Sequence, residues 1–336
     1  MPNCYLCDKE ITKSNQSKEH LIPNAIGGKL ASCNIWCSSC IDYYGTIDTQ
    51  ITEPLKPIAS LLDIFRDRGR NQSFSATGLD DTKLIVEPRG SAYIRHADVK
   101  EKNHGDKTEL NISVGGRTHN ERLKNLEKVL KGKQRKYPQI TDELISQFLD
   151  KAKSVKAFPE NDLMKCPTIV FGGTGGFQAL TKIALHIYIF HRGKPFNSDD
   201  IVKYIKTEES EYERAWFSFD YSPFIESEIV SNSYVLIGDQ KNRILWCYID
   251  LLSVYPVVII LNDDYQGPNF ANSYEHNVID NTESEPTIVN IIDRKNLLGM
   301  IEKKDRPYNI AQARINRVIE YYYRSNNMPL EKSKFT

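Results

Sequence analysis

Apolar positions recur at helical spacing in several otherwise polar stretches of the chain. Within residues 120–133 they are Leu123, Leu126, Val129 and Leu130, and most of the intervening positions are polar or charged. This pattern predicts a helix that packs along one face. By the same criterion we predict three further helices, at residues 141–155, 197–207 and 310–325.

Short runs of β-branched and aromatic residues predict strands in two other regions. Residues 82–115 contain three such runs, which are bounded by glycine or polar turns. Residues 229–261 are dominated by valine, isoleucine, tyrosine and tryptophan, with a turn at GDQKN, so we predict an antiparallel meander there. A further strand is expected at 287–293. Because helices and strands are mixed without a repeat, the predicted fold class is α+β.

A long apolar segment at 168–193 predicts a strand, a glycine-rich turn and a buried helix. The turn, GGTGG, lacks the pattern of a phosphate-binding loop because Lys182 comes too late after the glycines. We interpret it as a tight turn that packs a buried helix, and anion binding at the helix N-terminus is the alternative. His186 and His191 lie five positions apart, a poor spacing for sharing a metal, and are interpreted as packing or surface residues.

Composition excludes several classes of protein. The chain has 336 residues, of which 40% are hydrophobic and 26% charged, as in ordinary globular proteins. Its 44 basic and 44 acidic residues cancel, so any surface that binds nucleic acid must be local. The N-terminus lacks a secretory signal, and the longest apolar run, residues 255–261, is too short to span a bilayer. We therefore expect a cytoplasmic protein that does not bind membranes.

Five of the seven cysteines lie within the first 40 residues. Four of them form two C-x2-C pairs, Cys4 with Cys7 and Cys37 with Cys40. In a reducing compartment, two such pairs are typical of a structural zinc site, because thiolates bind Zn2+ tetrahedrally. Cys33 is interpreted as a bystander, and replacement of Cys37 by Cys33 as a ligand is the alternative. The ion would supply folding energy that a segment of about fifty residues cannot obtain from burial alone.

An acidic residue and a histidine, Glu19 and His20, lie between the cysteine pairs. Hydrolysis of a phosphodiester needs an activated water and a cation that stabilises charge on the phosphate. An imidazole with the ordinary pKa of about 6.5 can accept the proton of that water at neutral pH, so His20 is the candidate general base. Adjacent residues on a strand face opposite ways, so Glu19 must point elsewhere.

Residues 4–53 resemble the HNH endonuclease family, in particular the branch in which two C-x2-C pairs bracket an acid-His-x-x-Pro…Gly-Gly segment. The matching pieces are CYLC, EHLIP, IGGKL, NIWCSSC and GTID, and together with their spacing they cover about a seventh of the chain. The resemblance implies a small zinc-stapled ββα-metal fold, with strands at 17–22 and 33–37, a helix at 38–53, and Gly27-Gly28 as the turn between the strands.

The resemblance also implies roles for individual residues. Glu19 would bind a catalytic Mg2+ or Mn2+, hard cations that carboxylates suit. Asp48 of the helix would be the second ligand. Asp42 is its rival, because an Ile-Asp pair replaces the family's usual two asparagines and the distance from the last cysteine to Asp48 is one residue short. Asn34 corresponds to the family's central asparagine, which orients the loop that carries the histidine.

Basic side chains are concentrated on and just after the predicted helix at 120–133. Such residues give affinity for phosphates without sequence information, so we predict that they contact nucleic acid, and a solvated helix face is the alternative. They are Arg122, Lys124, Lys128, Lys131, Lys133, Arg135 and Lys136.

Together these features predict a metal-dependent endonuclease that hydrolyses phosphodiester bonds in DNA, with His20 as general base. We expect an HNH module at 1–53, a linker at 54–81, and a larger α+β domain with an antiparallel sheet at 82–336 that binds or selects the substrate. One alternative is a non-catalytic, zinc-stabilised DNA-binding or sensor protein. Another is an RNA-directed or ligand-gated nuclease effector. A homodimer is a further possibility that the sequence leaves open.

Overall fold

The computed structural model shows two compact units, which we describe one at a time. The first unit comprises Met1–Asn71 and Ile169–Thr336, and the second comprises Gln72–Thr168. Within these spans the structure describes residues 2–67, 72–78, 81–105, 107–151, 164–165, 173–193, 199–207, 214–225, 229–302 and 308–325.

Helices and antiparallel sheets occur together, which confirms the predicted α+β class. The helices are α1 (Ser38–Tyr44), α2 (Thr49–Leu61), α3 (His119–Lys133), α4 (Asp142–Lys151), α5 (Thr174–Arg192), α6 (Asp199–Lys206), α7 (Arg294–Glu302) and α8 (Tyr308–Ser325). The strands are β1 (Glu19–His20), β2 (Ala31–Ser32), β3 (Phe74–Gly78), β4 (Lys83–Val86), β5 (Ala92–Ile94), β6 (Asp98–His104), β7 (Lys107–Ser113), β8 (Met164–Lys165), β9 (Ala215–Phe217), β10 (Ser231–Asp239), β11 (Ile244–Leu251), β12 (Tyr255–Asn262), β13 (Phe270–Asn277) and β14 (Thr282–Ser284).

In the first unit, β1 and β2 form a short antiparallel pair, with Glu19 opposite Ser32. The predicted second strand at 33–37 is therefore wrong, because the strand lies before this range. It ends where the Asn34 N–H donates to Ser32 Oγ, a local side-chain bond that competes with strand pairing. Between the strands, Gly27 has a left-handed φ of 84°, and a Cβ on Gly28 would lie 1.7 Å from the Ile22 carbonyl oxygen. Two glycines are thus required for this turn.

The helix predicted at 38–53 is wrong in its extent. It is divided into α1, a 3-10 turn at Gly45–Asp48, and α2, which continues to Leu61 through two internal prolines. Ile51, Leu55 and Ile58 are spaced at helical intervals and are all buried. Burial of this face therefore keeps the helix intact despite prolines that remove backbone hydrogen bonds.

A six-stranded antiparallel sheet, in the order β14-β13-β10-β11-β12-β9, is the centre of the first unit. Strands β10 to β12 are the predicted meander. Helix α5 packs on one face of this sheet, with residues 178–189 all buried. The same apolar cluster includes Trp36 and Leu55 of the N-terminal segment. Asn232 joins the two parts, because its Nδ2 donates to the Ile26 carbonyl at 2.8 Å.

Two strands predicted in the first unit do not correspond to strands among the described residues. The strand predicted at 287–293 is wrong, because the N–H groups of Val289 and Asn290 donate to the carbonyl of Pro223 and not to a neighbouring strand. Ile288 and Ile292 pack as irregular chain against apolar residues of β10 to β12. The predicted strand at 168–172 lies outside the described residues.

In the second unit, β5, β4, β3 and β8 form one sheet in that order, and β6 and β7 form a separate hairpin. Helix α3 matches the predicted helix at 120–133, and Thr118 caps it by accepting from the Glu121 N–H. Helix α4 matches the start of the helix predicted at 141–155, and residues 152–155 lie outside the described part. No helix in the described part of the chain combines the length and apolar character needed to cross a membrane.

Candidate functional site

Two tight turns bring four cysteines together near the N-terminus. In the first, the Asp8 N–H donates to the Cys4 carbonyl, and Asp8 has a left-handed φ of 59°, so the turn brings Cys7 back toward Cys4. In the second, Cys37 is the extended residue that precedes α1, and Cys40 lies in the first turn of that helix. The four Sγ atoms all lie within 4.8 Å of one another.

These separations fit a zinc ion. Four sulfurs at about 2.3 Å from a tetrahedral Zn2+ are about 3.8 Å apart, and Cys7 Sγ and Cys37 Sγ are separated by 3.7 Å. Burial raises the pKa of the Cys4 and Cys40 thiols, so a cation at the centre of the cluster would be needed to stabilise them as thiolates. The predicted cluster can therefore hold zinc, and Cys33 lies outside it.

The side chains of Glu19 and Asp48 converge on one atom, the Nζ of Lys182. Glu19 lies on β1, Asp48 ends the 3-10 turn between α1 and α2, and Lys182 lies in the middle of α5. The Nζ donates to Glu19 Oε1 at 3.0 Å and to Asp48 Oδ1 at 2.7 Å. The structure thus brings the two predicted metal ligands together through a lysine that the sequence did not assign to the site.

Lys182 reaches this position from the interior of the first unit. Its side chain is 1% exposed, against 13% for Glu19 and 23% for Asp48. The ammonium also lies 4.8 Å from the centroid of the Trp36 ring, whose face attracts a cation. Burial raises the pKa of Glu19, and attraction to Lys182 opposes that rise. The ammonium is therefore the counter-ion of a partly buried pair of carboxylates.

His186 lies one turn after Lys182 and completes the interior side of the site. Its Nε2 is 3.0 Å from Tyr5 Oη, and its ring packs edge-on against Trp36 at 4.9 Å between centroids. Burial and the neighbouring Lys182 lower the pKa of His186 well below its ordinary value. A neutral ring therefore packs beside Glu19, with Nδ1 3.9 Å from Glu19 Oε1.

His20 contacts a different partner from Glu19, as adjacent strand residues do. His20 Nε2 lies 3.1 Å from Asp67 Oδ2. Lys18 Nζ is 3.5 Å and Lys29 Nζ is 3.8 Å from the same carboxylate. The hydrogen bond with His20, together with the charges of these neighbours, lowers the pKa of Asp67. An ionised Asp67 therefore fixes the orientation of the imidazole.

The other two predicted residues of the segment lie apart from these contacts. Asn34 is exposed, and its backbone N–H donates to Ser32 Oγ where β2 ends. Asp42 is exposed on α1, whereas Asp48 is half-buried and contacts Lys182. Of the two rival aspartates, Asp48 is the one that the structure brings to Glu19.

The predicted basic residues belong to the second unit, on and after α3. Glu101 of β6 accepts hydrogen bonds from Lys133 at 2.8 Å and from Lys136, so two of the seven are engaged within the unit. Lys131 pairs with Glu127 at 2.7 Å. Among the described residues, three of the set are exposed and take part in no ion pair. These are Lys124, Lys128 and Arg135.

Sequence reasoning missed Lys182 and Asp67. Lys182 had a signal, because it is the sole charged residue of the run ALTKIALHIYIF on a helix predicted to be buried, and a buried ammonium needs an acidic partner. Asp67 had none, since it lies in a polar, turn-rich stretch where an acidic residue is ordinary.

The N-terminal part of the chain matches a known protein family. A family model described as HNH endonuclease matches residues 4–56. This span contains the four cysteines, Glu19, His20 and Asp48, and it excludes Asp67 and Lys182. No curated protein and no solved structure matches the chain. The match indicates nuclease activity in general and a nucleic acid as substrate. Over residues 4–56 the chain therefore shows the resemblance to the HNH endonuclease family that its sequence predicted.

Proposed function

We propose that this protein is a metal-dependent endonuclease that hydrolyses phosphodiester bonds in DNA. The observation that carries the proposal is the convergence of Glu19 and Asp48, within the matched segment, on one cationic atom. Oxygen atoms of two carboxylates that meet at a cation are the donor set of a Mg2+ or Mn2+ site. A purely structural zinc module has no need of this second convergence.

The zinc ion is proposed to be structural. Cys4, Cys7, Cys37 and Cys40 would supply all four ligands of a zinc ion, so no position would be left for substrate. The second pair of cysteines begins α1, which leads into the turn that carries Asp48. The zinc cluster would thereby fix the start of the element that presents one carboxylate to the site.

His20 is proposed as the general base. Asp67 accepts a hydrogen bond from Nε2, which leaves Nδ1 with a lone pair that can take a proton from water. The negative charge of Asp67 also stabilises the imidazolium that forms. Because the His20 side chain is 16% exposed, water can reach the ring. Asp67 is thus a positioning residue that acts through His20.

Glu19 and Asp48 are proposed to hold the catalytic Mg2+ or Mn2+. Such an ion supplies stabilisation of the negative charge that develops on the phosphate. Both carboxylates are partly exposed, which lets them be reached from solvent, whereas the side chain of Lys182 is 1% exposed in this structure. Asn34 is proposed, from the family resemblance, to orient the loop that carries His20.

The basic residues of α3 and the turn after it are proposed to contact DNA phosphates. Lys124, Lys128 and Arg135 are the members that are free to do so, because they are exposed and unpaired among the described residues. Their contacts would weaken as salt rises. The role proposed for residues 82–336 as a whole is to bind or select the substrate.

Side-by-side cleavage tests the proposal against its alternatives. The zinc-loaded full chain is incubated with supercoiled plasmid, single-stranded DNA or RNA, in Mg2+ or Mn2+, with a chelator of the divalent ion as control. Metal-dependent nicking of the plasmid is expected. Binding of DNA without any cleavage would instead favour a zinc-stabilised sensor, and cleavage of RNA alone would favour an RNA-directed effector.

A further inference from the structure

The cation position between Glu19 and Asp48 is filled by the protein itself. Lys182 Nζ lies within hydrogen-bond distance of both carboxylates, at 3.0 Å and 2.7 Å. A divalent ion bound to these same two oxygens would have to occupy nearly the same point, since its bonds to oxygen are about 2.1 Å long. The ammonium and the metal therefore exclude each other there.

We propose that Lys182 is a built-in competitor of the catalytic metal, which keeps the Glu19–Asp48 site closed until the divalent ion displaces its ammonium. This inference rests on the proposed function, because it takes the two carboxylates as the ligands of the catalytic metal. It adds a regulatory contact from α5, outside the segment that matches the HNH endonuclease family.

Charge supports the competition. Two carboxylates present two negative charges to an incoming cation, and the ammonium cancels one of them. The attraction that a divalent ion experiences is reduced accordingly, and the reduction is larger than in bulk water because Lys182 is buried and both acids are partly buried. The ion therefore binds well only if the ammonium leaves.

The contacts of Lys182 show that it is held in place and is not a surface side chain that has drifted into the site. Its side chain is 1% exposed, and its ammonium lies over the Trp36 ring as well as between the two acids. The contacts that displacement would break stabilise the metal-free form alone. By linkage, whatever stabilises the metal-free form weakens metal binding by the same amount.

The first test measures metal binding without reference to catalysis. Mn2+ is titrated by calorimetry into the zinc-loaded full chain, as wild type, Lys182→Met and Lys203→Met. Lys203 is exposed on α6, so its variant removes the same charge from the surface of the same unit. We expect Mn2+ to bind at least about tenfold more tightly to Lys182→Met, and Lys203→Met to behave as wild type.

Equal binding by wild type and Lys182→Met would overturn the proposal. Weaker binding by Lys182→Met would also overturn it, since it would show that Lys182 positions the ligands and does not compete with the metal. Lys182→Arg keeps the charge and should bind Mn2+ no more tightly than wild type.

A second test needs no variant and so remains valid if Lys182→Met fails to fold. Wild-type protein is treated briefly with an amine-acylating reagent, with and without Mn2+, and the modification of each lysine is measured by mass spectrometry. Displacement predicts that Mn2+ increases acylation of Lys182 relative to Lys203. Unchanged acylation of Lys182 at saturating Mn2+ would contradict displacement.

Plasmid nicking by the same preparations separates the two proposals. If wild type nicks plasmid but Lys182→Met binds Mn2+ no more tightly than wild type, the competition is refuted and the nuclease function is supported. Tighter binding in Lys182→Met, with no nicking by any variant, would refute the nuclease function and leave the competition supported.

Discussion

Replacement of Asp67 by alanine should slow cleavage without disturbing the metals. The change removes the hydrogen bond of 3.1 Å between Asp67 Oδ2 and His20 Nε2, and with it the charge that orients the ring. A hydrogen bond to a charged group contributes about 1.5 to 3 kcal/mol. Because the side chain of Asp67 is 28% exposed, we take the lower part of that range of energies. Each 1.4 kcal/mol is about tenfold in rate, so we expect a loss of about 10- to 50-fold in the rate constant of cleavage.

The assay is single-turnover nicking of plasmid at saturating Mg2+, with zinc content measured on the same samples. Glu53→Ala is the matched control, because Glu53 is 62% exposed on α2 and pairs with Lys56 alone among the described residues. We expect it to cleave as wild type. Asp67→Asn keeps an acceptor oxygen and should fall between wild type and Asp67→Ala. Wild-type rates from Asp67→Ala would refute the role of Asp67 in orienting His20.

The effect of pH on this pair follows from the sign of the shift. The pKa of Asp67 is lowered, first by its hydrogen bond with His20. The carboxylate is therefore charged at neutral pH, and the pair is lost only as pH falls through this lowered value. The ratio of wild-type to Asp67→Ala rates should thus fall toward one under acid conditions, because protonation of Asp67 removes the charge that the alanine variant lacks.

Three further predictions concern other parts of the molecule. Cys40→Ser should release zinc and unfold the N-terminal segment, because a structural zinc contributes about 10 kcal/mol or more to folding. Zinc content and circular dichroism measure the two effects. A variant that is free of zinc but still folded would contradict this prediction. Asp48→Asn should weaken Mn2+ binding at least about tenfold, whereas Asp42→Asn should leave Mn2+ binding unchanged. Calorimetric titration measures the affinity of each variant. Weaker binding in Asp42→Asn alone would make Asp42 the ligand. Glu101→Gln should weaken the pairing of Glu101 with two lysines of the basic set. Plasmid binding should then be stronger at low salt and should depend more steeply on salt concentration. Unchanged plasmid binding would indicate that α3 does not contact DNA.

Periodicity predicted the elements that are amphipathic or continuously apolar. Helix α3 and the strands β10 to β12 have these patterns, and the structure places them where the sequence did. Strand β13, with the sequence FANSYEHN, was missed because its side chains are mostly polar. The segment at 287–293 has the composition of a strand, but its backbone finds partners in a loop.

The thiol cluster was predictable because its ligands come in pairs that are close in the sequence, Cys4 with Cys7 and Cys37 with Cys40. The contacts that the acidic side chains and the imidazole make could not be predicted in this way. His20 and Asp67 are 47 residues apart, and Asp48 and Lys182 are 134 apart. The first pairing depends on where the chain after α2 returns toward β1, and the second on how α5 packs against the N-terminal segment. No local pattern encodes either arrangement.

The most direct test of the account measures zinc content and plasmid nicking on the same preparations of wild type and His20→Ala. His96→Ala is the control, because His96 is exposed in the second unit. We predict equal zinc in all three proteins, with Mg2+-dependent nicking by wild type and His96→Ala and at least about a hundredfold less by His20→Ala. Equal nicking by wild type and His20→Ala, with zinc still bound, would contradict the assignment of the imidazole as the base.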